Sequence, residues 1–344
     1  MFESISPPAG PNWRLRILLV AVAVAVALAA AFVALWRMTQ MPLRSYAGTS
    51  PPLSAVQLEL AGHLSEDVKY LSATIGERNV HRLGSLQATT DYLRSALSGE
   101  GYAVAEQSYA VEGHAVSNLE SILPGSDAAE GSVVVGAHYD SVPGTVGAND
   151  NASGVAATLE LARSLQGSHP RRTIRFVFFV NEEPPYFQTS AMGSLVYAMR
   201  LRRNAVSVSA MISLETIGFY SDARNSQKYP MLLSLFYPSR GNFIGFVGNP
   251  ESRELLRRSI RKFRESAKFP SEGIAAPEDW PGVGWSDHWS FWQGHCPAIM
   301  ITDTAIFRYP YYHTPLDTLD KVDFEKMARV VDGVRAVVAS IASE

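Results

Sequence analysis

The chain has 344 residues, 47% of them hydrophobic and 18% charged, and 30 Lys and Arg against 33 Asp and Glu leave a net charge of −3. That composition excludes a disordered chain and is sufficient for a large core or two small ones, and the absence of a Lys/Arg block excludes nucleic acid as an expected partner. A single cysteine, Cys296, excludes an intrachain disulfide framework; set in GHCPAI before an apolar run, it is expected as a small buried residue rather than a nucleophile.

Taken in chain order, residues 1–16 form an N-terminal tail, and residues 17–36, ILLVAVAVAVALAAAFVALW, contain no charge, Pro or Gly. At about 1.5 Å per residue such a helix crosses a hydrocarbon layer of roughly 30 Å, and Trp13 and Trp36 stand where interfacial aromatics do. A cleaved signal peptide has an apolar stretch of only about 7–15 residues, so an uncleaved membrane anchor is expected. Arg14 and Arg16 on one side and Arg37 and Arg44 on the other give little charge bias. The short tail points to the N-terminus inside and the remaining chain outside. Residues 37–54, with Pro42, Gly48, Pro51 and Pro52, read as a linker, and 55–344 as one globular domain.

Within that domain the pattern predicts helices near 55–75 and 86–99, then paired edge strands near 102–110 and 115–123. SVVVGA at 132–137 and TIRFVFFV at 173–180 read as strands apolar on both faces, separated by a helix with Val155, Leu159, Ala162 and Leu165 on one side. Phe324, Met327, Val331, Val334, Val338 and Ile341 mark a final amphipathic helix. RLRR at 200–203 and RELLRRSIRKFR at 253–264 read as solvated helix faces. Apolar strands alternating with helices imply an α/β fold, a three-layer α/β/α sandwich around a mixed, largely parallel sheet.

Five segments place metal-binding side chains on this frame: GAHYDS with His138, GANDN with Asp150, VNEEP with Glu182 and Glu183, SLETIG with Glu215, and YYHTP with His313. Histidine and carboxylate ligands suit a divalent ion such as zinc. His138 and the Glu182–Glu183 pair directly follow apolar strands, and open α/β sheets bind ligands beyond the carboxyl ends of their strands. Taken singly, Asp150 reads as a helix cap and a histidine after a strand as a hydrogen-bonded loop residue. Two adjacent carboxylates leaving VFFV are costly unless a metal or partner compensates them, and it is the joint occurrence that points to a metal site.

Through these five segments in order, the chain from about residue 60 onward resembles the dizinc aminopeptidase family that also includes glutamate carboxypeptidase and glutaminyl cyclase. The resemblance implies that His138 and Glu215 bind one zinc ion, Glu183 and His313 a second, and Asp150 bridges them, so that two Zn2+ are expected and one is possible. It implies Glu182 as general base, Asp140 as the carboxylate that orients the His138 imidazole, and Tyr312 as a stabiliser of the oxyanion. Asp287 and His288, in GWSDHWSF, match a further family segment with a supporting role. The implied activity is metal-assisted peptide hydrolysis, with a peptide as substrate and an aminopeptidase as the expected form. A glutaminyl-cyclase-like acyltransferase with one zinc is the alternative, and a catalytically inactive receptor or scaffold relative a third reading. No G-x-S-x-G elbow suggests a serine nucleophile instead.

Two departures stand out. Position 215 carries Glu where the aminopeptidases usually carry Asp, which bears on the first metal site. NEEPPYFQTSAMGS adds residues after the Glu pair, and its Pro184, Pro185, Tyr186 and Phe187 are expected to form a rigid lip that narrows the substrate pocket. The sequon Asn151-Ala152-Ser153 abuts Asp150 and is expected to be unused. The oligomeric state is not legible.

Overall fold

The computed structural model describes residues 13–230 and 232–344, so that most of the expected N-terminal tail, residues 1–12, lies outside the described residues. Two compact units are present, a first ending at Gln40 and a second spanning Met41–Glu344. In the first, helix α1 covers Trp13–Thr39 and buries none of its residues. It extends beyond the apolar stretch at both ends, because no Pro or Gly lies between Trp13 and Thr39 to stop it.

The second unit opens with residues 41–53 laid along the domain. Arg264 Nη1 donates to the carbonyls of Pro42 and Leu43 at 3.0 and 2.9 Å, and the Ser271 N–H donates to Ser45 Oγ at 2.9 Å. Helix α2 (Ala55–Lys69) then starts at a capping box in which Ser54 Oγ accepts from the Gln57 N–H while Gln57 Oε1 accepts from the Ser54 N–H. It runs on into a wider turn, Tyr70–Ile75, and is followed by α3 (Leu83–Gly99).

Eight strands form one sheet: β1 (Val104–Val111), β2 (His114–Leu123), β3 (Ser132–His138), β4 (Thr173–Phe179), β5 (Val208–Glu215), β6 (Ile244–Gly248), β7 (Ser271–Ala275) and β8 (Ala298–Thr302). Their order is β1-β2-β4-β3-β5-β8-β6-β7. The central strands β4, β3, β5 and β8 are parallel neighbours, whereas β1/β2, β2/β4 and β6/β8 pair antiparallel. The remaining helices are α4 (Gly154–Leu165), α5 (Gly193–Arg203), α6 (Arg253–Ser266), α7 (His288–Trp292) and α8 (Phe324–Ser343). One layer contains α2, α3, α4, α6 and α8, and the other contains α5 and α7. This is the expected three-layer sandwich with a mixed sheet. Strand β3 is buried throughout, as a strand covered on both faces must be.

The basic tracts fall where solvated helix faces were expected: RLRR in the last turn of α5, and RELLRRSIRKFR in α6, which turns Leu255, Leu256, Ile260 and Phe263 into the core. The register decides the rest. His138 stands beside Phe179, the residue three before Glu182, and Glu215 stands beside Thr302 of β8. Parallel neighbours therefore deliver their carboxyl ends, and the loops that follow them, to one rim.

Candidate metal centre

At that rim the structure brings His138, Asp150, Glu215, Glu183 and His313 together. His138 ends β3 with its ring fully buried; its Nε2 lies 3.2 Å from Glu215 Oε2 and 3.4 Å from Asp150 Oδ1. The other oxygen of the same carboxylate, Asp150 Oδ2, lies 3.1 Å from His313 Nε2, which is also 3.0 Å from Glu183 Oε2. Two triads result, His138–Asp150–Glu215 and Asp150–Glu183–His313, which share Asp150; within each, the ligand atoms lie within 4.8 Å of one another. Glu182 belongs to neither triad; its Oε2 is 3.8 Å from His138 Nε2.

Backbone geometry aims these side chains. Asn181, Thr216 and His313 have φ of 59°, 44° and 55°, in the left-handed region that a β-branched residue such as Thr rarely adopts. Thr216 is kept there by a bond from its N–H to Asn151 Oδ1 (3.1 Å) and one to its carbonyl from the Asp303 N–H (2.6 Å). Gly147, at φ +55°, opens the loop to Asp150, where a Cβ would stand 2.2 Å from the Asp150 carbonyl oxygen, so no other residue fits.

Of the residues that support the rim, Asp317 and Arg78 carry no motif in the sequence, and Ser286 lies within GWSDHWSF with no role assigned to it there. Asp317 accepts the N–H groups of Asn149 and Asp150 at 2.8 and 3.0 Å, and the Tyr309 hydroxyl at 2.7 Å. Arg78 is fully buried, and its guanidinium donates to the carbonyls of Tyr139, Leu71, Gly76, Val146 and Gly147, tying the end of β3 to the loop before Asp150. Ser286 Oγ donates to Glu215 Oε2 at 2.8 Å. The partners that tie them to the rim, Asn149 and Asp150 for Asp317, Tyr139, Val146 and Gly147 for Arg78, and Glu215 for Ser286, lie 61 to 168 positions away, so neither spacing nor periodicity could have found them.

Asp140, expected beside the imidazole, has its carboxylate 3.5 Å from His138 Nδ1 and its own carbonyl nearer, at 3.2 Å. Its carboxylate also accepts the N–H groups of Glu182 and Glu183 at 3.2 and 3.1 Å, coupling the turn after β4 to the turn after β3. Tyr312 is half-buried and stacks on the His313 ring, 3.9 Å between centroids. Asp287 and His288 are buried behind the rim; His288 Nε2 bonds the Val283 carbonyl at 2.7 Å.

The electrostatics of the cluster suit a cation. Burial pushes Glu182 and Glu183 upward, Glu183 to about 7, and raises Glu215 as well. Burial would lower His138 and His313, but the surrounding carboxylates outweigh it and raise both, His313 to about 10. His138 Nε2, His313 Nε2, Asp150 Oδ2 and Glu183 Oε1 are all buried and have no hydrogen-bond partner. Buried polar atoms are normally paired, and four that converge on the space between five His and carboxylate side chains fit a divalent ion.

The surroundings correct two expectations. The Pro184–Phe187 lip does not narrow the pocket that opens beside the five ligands. The Tyr186 hydroxyl bonds Glu112 in the β1–β2 turn at 2.9 Å, and Pro184, Pro185 and Tyr186 line only a small crevice beside Asp140. An apolar pocket lies on the other side, opening beside Glu215 and Tyr312, with a cavity of ≈ 110 Å³ walled by side chains such as Tyr229, Phe243, Trp285, Met300 and Ile306. Cys296 is half-buried rather than buried, because it sits in the turn between α7 and β8; desolvation raises its thiol above the usual value, which suits no nucleophile. Asn151 is fully buried with its amide bonded to the Leu214 carbonyl at 2.9 Å, which leaves no room for a glycan.

Residues 118–338 match the profile of peptidase family M28. The chain is 38% identical over 280 residues to the uncharacterized protein YfbL of Escherichia coli K12, covering 79% of this chain and 85% of that protein. It is 30% identical over 215 residues to aminopeptidase YwaD of Bacillus subtilis, 60% of this chain but only 40% of that longer relative. Among solved structures it resembles a zinc aminopeptidase from Bacillus subtilis at a TM-score of 0.66 and 16% identity, covering 83% of this chain and 95% of that one. The glutaminyl cyclase of Tannerella forsythia matches at 0.60 and 23%, covering 81% and 98%. At these identities both structures speak to the fold alone.

Proposed function

The chain belongs to peptidase family M28, and from that premise we propose that it is a membrane-anchored, zinc-dependent aminopeptidase. In this reading His138, Asp150 and Glu215 hold one ion, Asp150, Glu183 and His313 hold a second, and Glu182 is the general base. One observation carries it: the two oxygens of Asp150 face the unpartnered ring nitrogens of two different histidines, at 3.4 and 3.1 Å. Two complete triads around a shared carboxylate favour a two-metal hydrolase over a one-zinc cyclase, and competent side chains at every position disfavour an inactive relative.

Divalent ions held by these two triads would supply Lewis acidity that lowers the pKa of a bound water and polarises the scissile carbonyl. Glu182 sits beside both triads without joining either, and burial keeps its carboxyl basic, so it takes the water's proton and hands it to the leaving amine. Burial, reinforced by the neighbouring carboxylates, holds the Tyr312 hydroxyl protonated well above its ordinary range, so it can donate to the developing oxyanion. Asp140, gripping the N–H groups of Glu182 and Glu183, keeps base and ligand in register. The apolar pocket beside Glu215 and Tyr312 suits a large apolar side chain on the terminal residue. Helix α1, apolar and 27 residues long, serves as the retained anchor, with the domain on the outer face.

The test compares matched peptides with free and acetylated N-termini. Acetylation should lower kcat/KM at least about tenfold, roughly 1.4 kcal/mol of transition-state binding, and an N-terminal Leu should be preferred to Glu. Equal rates on both peptides, or release of residues from the carboxyl end only, would reject the aminopeptidase reading. Ring closure of N-terminal glutamine without hydrolysis would establish the cyclase instead.

A further inference from the structure

The pocket beside Glu215 and Tyr312 runs across the sheet, and the strand register gives its course. Glu215 of β5 pairs with Thr302 of β8, Thr302 with Gly245 of β6, and Gly245 with Glu272 of the edge strand β7. One row therefore crosses four strands, from a carboxylate of the metal triads to a second carboxylate, and all four of its residues line the pocket. Paired residues share a face of the sheet, and three inter-strand steps of about 4.8 Å set Glu215 and Glu272 about 14 Å apart along it. Gly245 keeps the middle of the row open; a Cβ there would stand 3.2 Å from the Thr302 carbonyl oxygen and 3.5 Å from Thr304 Cγ2. Met300, Val247 and Ile274 form the next row on the same face, so the floor between the two carboxylates is apolar.

The far end of this trough is built for a cation. Tyr229 and Tyr237 stack there with ring centroids 5.5 Å apart, and the Tyr237 hydroxyl donates to the carbonyl of Gly273, the residue after Glu272, at 2.7 Å. Burial pushes both phenols upward, and the nearby Glu272 carboxylate adds to the rise. The Glu272 side chain is 23% exposed, and Arg264 approaches it only to 3.7 Å, beyond hydrogen-bond reach. The Arg264 guanidinium is directed instead to the carbonyls of Pro42, Leu43 and Ser271 and to Ser271 Oγ. Burial raises the Glu272 carboxyl in spite of Arg264 and the Ser45 hydroxyl. Among the described residues that line the pocket, the one basic side chain is Lys228, which is exposed.

We propose that Glu272 selects substrates whose N-terminal residue is Arg or Lys, the apolar stem lying over Gly245, Val247 and Met300 and the cationic tip meeting the Glu272 carboxylate and the Tyr229–Tyr237 pair. Lys and Arg bury an apolar stem and carry a charge at its end, whereas a leucine side chain ends short of that carboxylate. A cation placed against tyrosine rings and a carboxylate gains from both. The proposal rests on the aminopeptidase reading, with the terminal amine and the scissile carbonyl at the Glu215 end of the trough.

The zinc-loaded full chain is assayed on matched peptides that open with Arg, with its neutral isostere citrulline, and with Leu. Arg should exceed citrulline at least about tenfold in kcat/KM and at least equal Leu, and Glu272→Gln should bring Arg and citrulline within about twofold of each other. The parent protein gives the same contrast without a variant: butylguanidinium should compete with the Leu peptide at least about tenfold more strongly than butylurea. Turnover of the Leu peptide with Arg and citrulline equal, equal inhibition by the two probes, or an Arg preference retained in a folded Glu272→Gln variant would overturn the role of Glu272 alone. Failure to release any N-terminal residue would overturn the aminopeptidase reading together with it.

Discussion

Asp317 Oδ2 accepts the backbone N–H of Asp150 at 3.0 Å, across 167 positions of sequence. The carboxylate that faces both histidines is therefore placed by a second carboxylate that touches neither. Asp317→Asn puts an amide N–H against a backbone N–H and should lower metal affinity about 10–100-fold with the fold intact. Titration against a competing chelator measures this, and unchanged affinity would remove Asp317 from the site's support.

The adjacent glutamates should separate cleanly. Glu182→Gln should retain metal and lose turnover by about 10²–10⁴-fold, because only proton transfer is removed. Glu183→Gln should lose metal, since its Oε2 lies 3.0 Å from His313 Nε2. Exhaustively dialysed parent protein should keep about one to two zinc ions per chain by elemental analysis. Reversed metal contents in the two variants would exchange the assignments.

Arg78→Met should be among the most destabilising single changes, at about 3–5 kcal/mol, because it strands five carbonyls at once, those of Tyr139, Leu71 and Gly147 in fully buried bonds. Urea unfolding reads this out. A loss under about 1 kcal/mol would mean that water replaces the guanidinium.

His288 makes stability depend on pH. Burial holds its imidazole down at about 4, against an ordinary value of 6.5, so between these limits the unfolded chain binds more protons than the folded one. Its contribution is complete above the upper limit and is lost as pH falls towards the lower one, over a full span of about 3 kcal/mol. His288→Phe removes the titration. Relative to the parent, it should gain about 2 kcal/mol on going from about pH 7 to about pH 5. A constant difference across that range would show that His288 does not titrate out of register with the unfolded chain.

Helix α1 should resist carbonate extraction and keep an N-terminal tag, and protease added to intact cells should reach the domain. Soluble protein beginning near residue 32 would instead identify a cleaved signal sequence.

The sequence by itself determined the ligand-bearing segments and the layered fold. Strands covered on both faces are largely apolar, as VVVGA of β3 and FVFF of β4 are, and metal chemistry narrows the side chains that can follow them. Strands β6, β7 and β8, five residues each, are too short to carry a period of their own, and β5 is not among the strands that the pattern predicts. Only the tertiary structure decided that Asp140 grips the Glu182–Glu183 turn, that Asp317 and Arg78 place Asp150, and that the Pro184–Phe187 loop is drawn to Glu112, away from the apolar pocket. The bonds of Asp140, Asp317 and Arg78 are made to backbone N–H and carbonyl groups of other loops, and the Tyr186–Glu112 bond joins side chains 74 positions apart, so no residue type or spacing announces them. They exist because parallel strands β3, β4 and β5 end at one rim and bring together loops that the sequence holds far apart.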